Sequence, residues 1–131
     1  MDHRVIVSAV IEKEGKILFG RKAPGVGPYP DTWHLPGGGV NLGEETLIDA
    51  VRREVREETG IEIDHIEPLA FDEDNEPDKH GMMMHYVFLV FRVRYAAGAL
   101  RAADDIVELC WFAREELDCL LLTRPSEKLL Q

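Results

Sequence analysis

Strands dominate the pattern of apolar and polar positions along this chain. Arg4–Glu12 (RVIVSAVIE) is rich in Val and Ile and reads as a strand. Lys13-Glu14-Gly15 supplies a turn, and Lys16–Lys22 (KILFGRK) reads as the hairpin partner. Ala23–Asp31 (APGVGPYPD) holds three prolines and two glycines and reads as a loop. Thr32–Leu35 is a short extended piece, after which Pro36-Gly37-Gly38-Gly39 turns the chain. Ile61–Phe71 alternates loosely as a strand, and Asp72–His80 (DEDNEPDKH) reads as an acidic loop. Met82–Tyr95 is the strongest strand, with Phe91, Val93 and Tyr95 alternating against Arg92 and Arg94. Ile106–Ala113 is a further strand, and Arg114–Leu122 fits a short helix.

Between these strands the period changes to that of a helix running from about Glu45 to Thr59. Thr46 and Asp49 are placed to form a capping box, and Gly60 stands where a left-handed cap is wanted. At about 100° per residue, Leu47, Ala50 and Val51 share one face, and steps of three or four continue it to Glu54, Glu57 and Glu58. Asp49, Arg52 and Arg56 lie round the back. A solvated amphipathic helix puts its acids opposite the apolar stripe, whereas here three carboxylates extend it. Like charges at these spacings repel, and Arg53, four residues before Glu57, offsets only part of that repulsion. Oxygen ligands gathered at one point suit a hard cation such as Mg²⁺ or Mn²⁺.

The 131 residues allow one domain, residues 1–131, with a real core. A net charge of −10 argues against a nucleic-acid or anionic-membrane surface, and it would repel an anionic substrate unless a divalent cation intervened. The longest apolar run, Tyr86 to Phe91, is too short to span a bilayer, and the N-terminus lacks the features of a signal peptide. Cys110 and Cys119 have no CxxC spacing and read as reduced thiols in a cytoplasmic protein, and the five histidines form no HExxH pattern.

Gly39, then Glu45, then Arg53-Glu54-Val55-Arg56-Glu57-Glu58-Thr59-Gly60-Ile61 match the Nudix box at every defined position. With "TWHLPGG" leading in and "LCWFAREEL" near the end, the chain resembles a small Nudix hydrolase over nearly its whole length. That resemblance implies an α/β fold, an α/β/α sandwich around a mixed β-sheet. It implies Mg²⁺-dependent hydrolysis of a nucleoside diphosphate linked to another moiety, with a small-molecule nucleotide as partner, and it leaves a homodimer open. Glu54, Glu57, Glu58 and the Gly38 carbonyl would hold the metal. Arg53 would orient a glutamate, and Glu45 would support the loop-helix-loop geometry. Glu54 is the first choice of general base, with Asp104, Asp105 and Glu108 as distal alternatives or else solvated surface acids.

Outside the box the readings divide. Arg21 and Lys22 end a strand that could face phosphates, or are ordinary surface cations. Trp33 either stacks on a base or fills the core. The Asp72–Glu76 acids look calcium-like, but Pro77 stands where an EF-hand loop needs glycine. Met82-Met83-Met84 reads as packing. "GVGPYPDTWHLPGGGVNLGEE" and "HYVFLVFRV" look similar to the nucleoside-triphosphatase branch, which releases monophosphate and pyrophosphate. An ADP-ribose or nucleotide-sugar pyrophosphatase is the alternative, on Pro77 about sixteen residues past the box. A Nudix-fold binding or sensor domain without catalysis is the alternative of another class. Such domains tend to lose box carboxylates, and all are present here.

Overall fold

The computed structural model describes residues 1–23, 32–104 and 106–119. Among them are seven strands: β1 (Asp2–Lys13), β2 (Lys16–Lys22), β3 (Trp33–His34), β4 (Gly37–Gly39), β5 (Glu62–Pro77), β6 (Met83–Ala97) and β7 (Ile106–Ala113). One α-helix, α1 (Leu47–Thr59), and a 3₁₀ helix at Arg114–Cys119 accompany them.

β1 and β2 join through Glu14 and Gly15, with φ of 53° and 80°. Two successive left-handed residues make the tight hairpin turn that suits strand twist. The hairpin pairs only at its closed end, Glu12↔Ile17 and Lys13↔Lys16, and then splays. β4 enters the gap antiparallel to β1, and β2 takes β3 and β7 as partners. On its other edge β1 runs parallel to β6, from Asp2↔Met84 to Glu12↔Arg94. β5 closes that side antiparallel to β6, so the sheet is mixed, as the α/β reading requires.

Two expected connections are strands instead. Pro36–Gly39 does not turn the chain, because Gly37–Gly39 pairs with Ile6, Val7 and Ser8. A Cβ on Gly37 would lie 2.0 Å from the Val7 carbonyl oxygen, so this close pairing requires glycine there. The acidic segment from Asp72 continues β5 as far as Pro77, with Asp72↔Phe88, Asp74↔Tyr86 and Glu76↔Met84 across the ladder. The ladder to β6 outweighs the poor strand propensity of acids. The turn itself is confined to residues 78–82, where Asp78 Oδ1 accepts from the N–H groups of His80 and Met82. The expected helix at Arg114–Leu122 is a 3₁₀ helix as far as Cys119, and its remainder lies outside the described residues.

Alternation along the strands divides the apolar side chains between two faces. Val7, Ala9, Ile11, Leu18, Phe91 and Val93 pack with Ala50, Val51 and Val55 of α1. Val10, Ile17, Phe19, Leu35 and Val90 form a second cluster on the opposite face, with Trp33 and Phe112 against it. Fully burying a Val or Leu side chain contributes ~1.5–3 kcal/mol, so the first cluster fixes the helix on the sheet. No helix among the described residues is long and apolar enough to cross a membrane.

Candidate active site

The helix begins and ends on defined caps. Thr46 Oγ1 accepts from the Asp49 N–H at 3.1 Å, and Gly60, at φ 77°, donates its N–H to the Arg56 carbonyl at 3.0 Å. The following chain satisfies carbonyls of the last turn, since Arg101 N–H reaches Thr59 O at 2.8 Å and Ala103 N–H reaches Glu58 O at 3.3 Å. The segment that carries Asp104 is thereby tied to the end of α1. Asp104 itself holds a φ of 61°.

The inward stripe differs from the expected one. Ala50, Val51, Val55, Glu58 and Thr59 are buried, while Leu47 is exposed. Steps of four and three from Val51 give Val55 and Glu58, which places Glu54 on one flank of the stripe and Glu57 beyond it. Side-chain exposure follows that order: Glu58 is buried, Glu54 is 13% exposed and Glu57 is 45% exposed.

Arg53 ties these acids together and uses all five of its N–H donors to do so. Nε and Nη2 take the two oxygens of Glu45 at 2.9 and 2.6 Å, a bidentate pair. Nη2 also reaches Gly39 O at 3.1 Å, and Nη1 reaches Glu54 Oε1 at 2.8 Å and Glu57 Oε2 at 3.2 Å. Glu45 returns a bond to the loop by accepting from the Asn41 N–H at 3.0 Å. Its hydrogen bonds to Arg53, then to Asn41, hold its carboxyl down at about 2, and Arg53 is held firmly protonated.

β4 is the second support. Glu58 Oε1 accepts from the Gly37 N–H at 2.9 Å. A Cβ on Gly38 would stand 2.5 Å from Glu54 Oε2, so the bare Cα of Gly38 makes room for that carboxylate. Burial pushes the Glu54 carboxyl up, Arg53 opposes this by hydrogen bond and charge, and the charges of Glu57 and Asp104 push it up further. Carboxylate charge is thus concentrated where water is partly excluded, with one arginine among it.

Among the described residues no three His, Cys, Asp or Glu side chains already stand at metal-binding spacing. The donor set is nonetheless one of hard oxygens around Glu54, short of positive charge, and it fits a divalent cation better than any softer metal. The Gly38 carbonyl lies on the strand beside Glu54.

The other candidates lie elsewhere. Arg21 Nε donates to Glu108 Oε1 at 3.0 Å, and its guanidinium lies 5.9 Å from the centre of the Trp33 ring. Trp33 packs edge-on against Phe112 at 4.9 Å, on the face away from α1. Arg21, Trp33 and Glu108 therefore form one group. Lys22 ends β2 opposite Ile106, past an irregularity in the ladder. Of the distal acids, Asp104 acts electrostatically on Glu54, Glu108 is occupied with Arg21, and Asp105 lies outside the described residues. Cys110 is a free thiol, and the side chain of Cys119 also lies outside them. Two supports were not foreseen, the Gly37 N–H on Glu58 and the arginine at position 4, which lies against Gly39. Both depend on how β1 and β4 pair, and no spacing in the sequence signals that.

A family model for the NUDIX domain matches residues 1–131. The nucleoside triphosphatase NudI of Enterobacter sp. (strain 638) is 32% identical over 132 residues, covering 96% of this chain and 93% of that protein. A crystal structure of the MutT NUDIX hydrolase from Burkholderia pseudomallei superposes with a TM-score of 0.83 at 27% identity, covering 99% of this chain and 97% of that one. The NUDIX domain of Shewanella oneidensis NrtR, solved with ADP ribose, shares the fold at a TM-score of 0.79 and 20% identity, covering 99% and 85%. With the box wired through Arg53 and its model matched end to end, the chain belongs to the NUDIX domain family.

Proposed function

We propose that this protein hydrolyses nucleoside triphosphates to the monophosphate and pyrophosphate, with Mg²⁺ as its metal and Mn²⁺ as a substitute. The observation that carries this is the complete box held in one network, with Arg53 gripping Glu45, Glu54 and Glu57 while Glu58 faces inward on the Gly37 N–H. The 32% identity to a protein named nucleoside triphosphatase directs the substrate choice.

Glu54, Glu57, Glu58 and the Gly38 carbonyl are the groups that would hold the cation. When bound, a divalent cation supplies positive charge against the phosphate oxygens and acidifies water. Without that charge a polyphosphate would be repelled by a chain of net charge −10. In the reaction a water oxygen bonds to an inner phosphorus, α or β, the bond from that phosphorus to the oxygen bridging the two breaks, and monophosphate and pyrophosphate separate. The water's proton passes to a carboxylate. Glu54 suits that role because it is partly buried, faces the β4 strand and is fixed by Arg53. The cytoplasm, where nucleotides and Mg²⁺ meet, is the proposed setting.

The test is a panel of ribo- and deoxyribonucleoside triphosphates, ADP-ribose and nucleotide sugars with Mg²⁺, with products identified by chromatography. A triphosphate yielding monophosphate and pyrophosphate in equal amounts is expected. Turnover of ADP-ribose alone would overturn the triphosphate reading, and no turnover of any substrate would overturn the enzymatic one.

A further inference from the structure

Where β1 begins, strand register sets polar side chains from three neighbouring strands side by side. His3 stands opposite His85 across the parallel ladder, and His85 stands opposite Asn75 across the antiparallel one, with Glu73 two positions away on β5. Alternate positions along a strand share a face. His3 is therefore in line with Val7 and Ala9, and His85 with Phe91 and Val93, on the side of the sheet that carries α1. The two imidazoles meet edge to face, with centroids 5.4 Å apart and planes at 80°.

His85 is engaged through both of its nitrogens. Nδ1 lies 2.7 Å from Asn75 Oδ1, and Nε2 lies 3.2 Å from Glu73 Oε2. An amide oxygen only accepts, so with the Asn75 oxygen turned to it, Nδ1 is the protonated nitrogen. In the neutral ring this leaves a lone pair on Nε2, aimed at a carboxylate oxygen. Two acceptors then face each other, and a cation between them turns repulsion into attraction. A second ring proton is the competing occupant of that place.

The spacing favours a metal. Donors bound at ~2.0–2.1 Å to a tetrahedral Zn²⁺ stand ~3.3 Å apart, and two imidazoles sharing it have ring centres ~5 Å apart. The separations of 3.2 and 5.4 Å are close to both. Metal-binding histidines almost always donate their other ring N–H to an oxygen, and Asn75 gives His85 that partner. As they stand the groups are short of full ligand spacing. His3 is the one able to move: it is exposed, and its ring contact with His85 is its only polar or ring interaction among the described residues. Rotation of that side chain brings a ring nitrogen towards Nε2 of His85.

This place is not the box. Gly38, beside Glu54, pairs with Val7, four residues along β1 from His3, or about 13 Å at ~3.3 Å per residue. Its donors differ as well, since two imidazoles and one carboxylate suit a borderline transition cation rather than Mg²⁺.

We propose that His3, His85 and Glu73 form a second metal site, taking Zn²⁺ through two imidazoles and one carboxylate and leaving the fourth position to water. A cation there joins β1 to β6 and β5 at the end of the sheet where β1 starts, so its binding stabilises the folded chain. The site stands apart from the proposed hydrolysis, and its occupancy does not depend on which nucleotide is cleaved.

The experiment titrates Zn²⁺ into the full chain by calorimetry, in millimolar Mg²⁺ to occupy the box carboxylates, and follows the histidine rings by ¹H–¹⁵N NMR. Zn²⁺ should shift the ring signals of His3 and His85 and raise the melting temperature. His3→Gln and His85→Gln should each weaken Zn²⁺ binding by at least about a hundredfold, beyond the 10–100-fold that loss of an outer partner costs, and Glu73→Gln by at least about tenfold. His3→Gln, at an exposed position, should melt with the parent when Zn²⁺ is absent, so its lost affinity is not lost folding. Equal Zn²⁺ binding by the parent and either histidine variant would overturn the site. So would a parent that binds no Zn²⁺ while the His85 ring carries protons on both nitrogens at pH 7, because a proton then fills the place. Either failure leaves the hydrolase reading untouched.

Discussion

The carboxylate of Glu54 rests against the Cα of Gly38, so closely that a Cβ there would stand 2.5 Å from Oε2 and 2.6 Å from the carboxyl carbon. Gly37, one residue earlier, meets backbone instead, with the Val7 carbonyl oxygen 2.0 Å from a Cβ position. The two glycines should therefore fail differently when changed to alanine. A side-chain carboxylate can swing aside, so Gly38→Ala is expected to keep the fold and lower kcat/KM by roughly a hundredfold, the scale of a misplaced catalytic group. Gly37→Ala must part β4 from β1, and overpacking of that kind costs about 1–3 kcal/mol. Denaturant titration and steady-state kinetics on both variants separate the outcomes. Equal loss of stability would mean that Gly38 serves only the strand.

Glu45 leads to a pH prediction. Its carboxyl is held at about 2 by Arg53 and the Asn41 N–H, against an ordinary value of 4.5. A depressed carboxyl stabilises the fold fully above its unfolded value, and that contribution is lost as protonation proceeds between about 4.5 and 2. The parent should lose melting temperature across this window more steeply than Glu45→Gln, which has no proton to take up there. At pH 7 the variant should melt lower than the parent, because the bidentate grip of Arg53 is gone. Parallel curves for the two proteins from pH 5 to pH 2.5 would show that Glu45 contributes nothing to the acid transition.

What could be read from the residues alone follows how local each feature is. The helix and its Thr46 and Gly60 caps follow from a fixed rise per residue, and the structure reproduces them. The β1–β2 turn at Glu14-Gly15 was equally legible. The glycine strand was not, because glycine has little strand propensity and β4 exists only through its fit against β1. The acids of β5 misled for a related reason, since ladder partners on the following strand, from Phe88 opposite Asp72 to Met84 opposite Glu76, decided their conformation. Contacts that cross the sheet, such as Arg4 on Gly39, depend on register and leave no spacing to find.

The raised Glu54 carboxyl implies a cost that a cation would relieve. Because its folded value lies above the unfolded one, the charged form is disfavoured by folding, and the stability it contributes is lost as pH rises through that value. Glu54→Gln should therefore melt higher than the parent at pH 7 without metal. Millimolar Mg²⁺ should raise the melting temperature of the parent by mass action, about 2.7 kcal/mol at a hundred times Kd. The variant should respond far less. Differential scanning calorimetry with and without Mg²⁺ checks both halves, and an equal response from the two proteins would remove Glu54 from the cation site.

Glu58 and Asp49 lie on the same helix in opposite settings, and comparing them tests whether the charged face matters. Glu58 is 5% exposed and accepts the Gly37 N–H at 2.9 Å, whereas Asp49 is exposed in the first turn. Glu58→Gln keeps an oxygen acceptor for Gly37 and removes one negative charge from the inward stripe. Stability without metal should change little, because the bond to β4 survives in neutral form. The fall in kcat/KM should be at least about a hundredfold, or about 3 kcal/mol of lost transition-state stabilisation, since a proposed cation ligand loses its charge. Asp49→Asn removes the same charge from a solvated position, where its interaction with the helix N-terminus contributes typically 0.3–1 kcal/mol. Its kcat/KM should stay within about threefold of the parent, on the scale set by an intact site. Steady-state kinetics at saturating Mg²⁺, together with melting curves, decide between the readings. If both variants keep full activity, the buried Glu58 serves only its bond to Gly37 and the proposed site lies elsewhere.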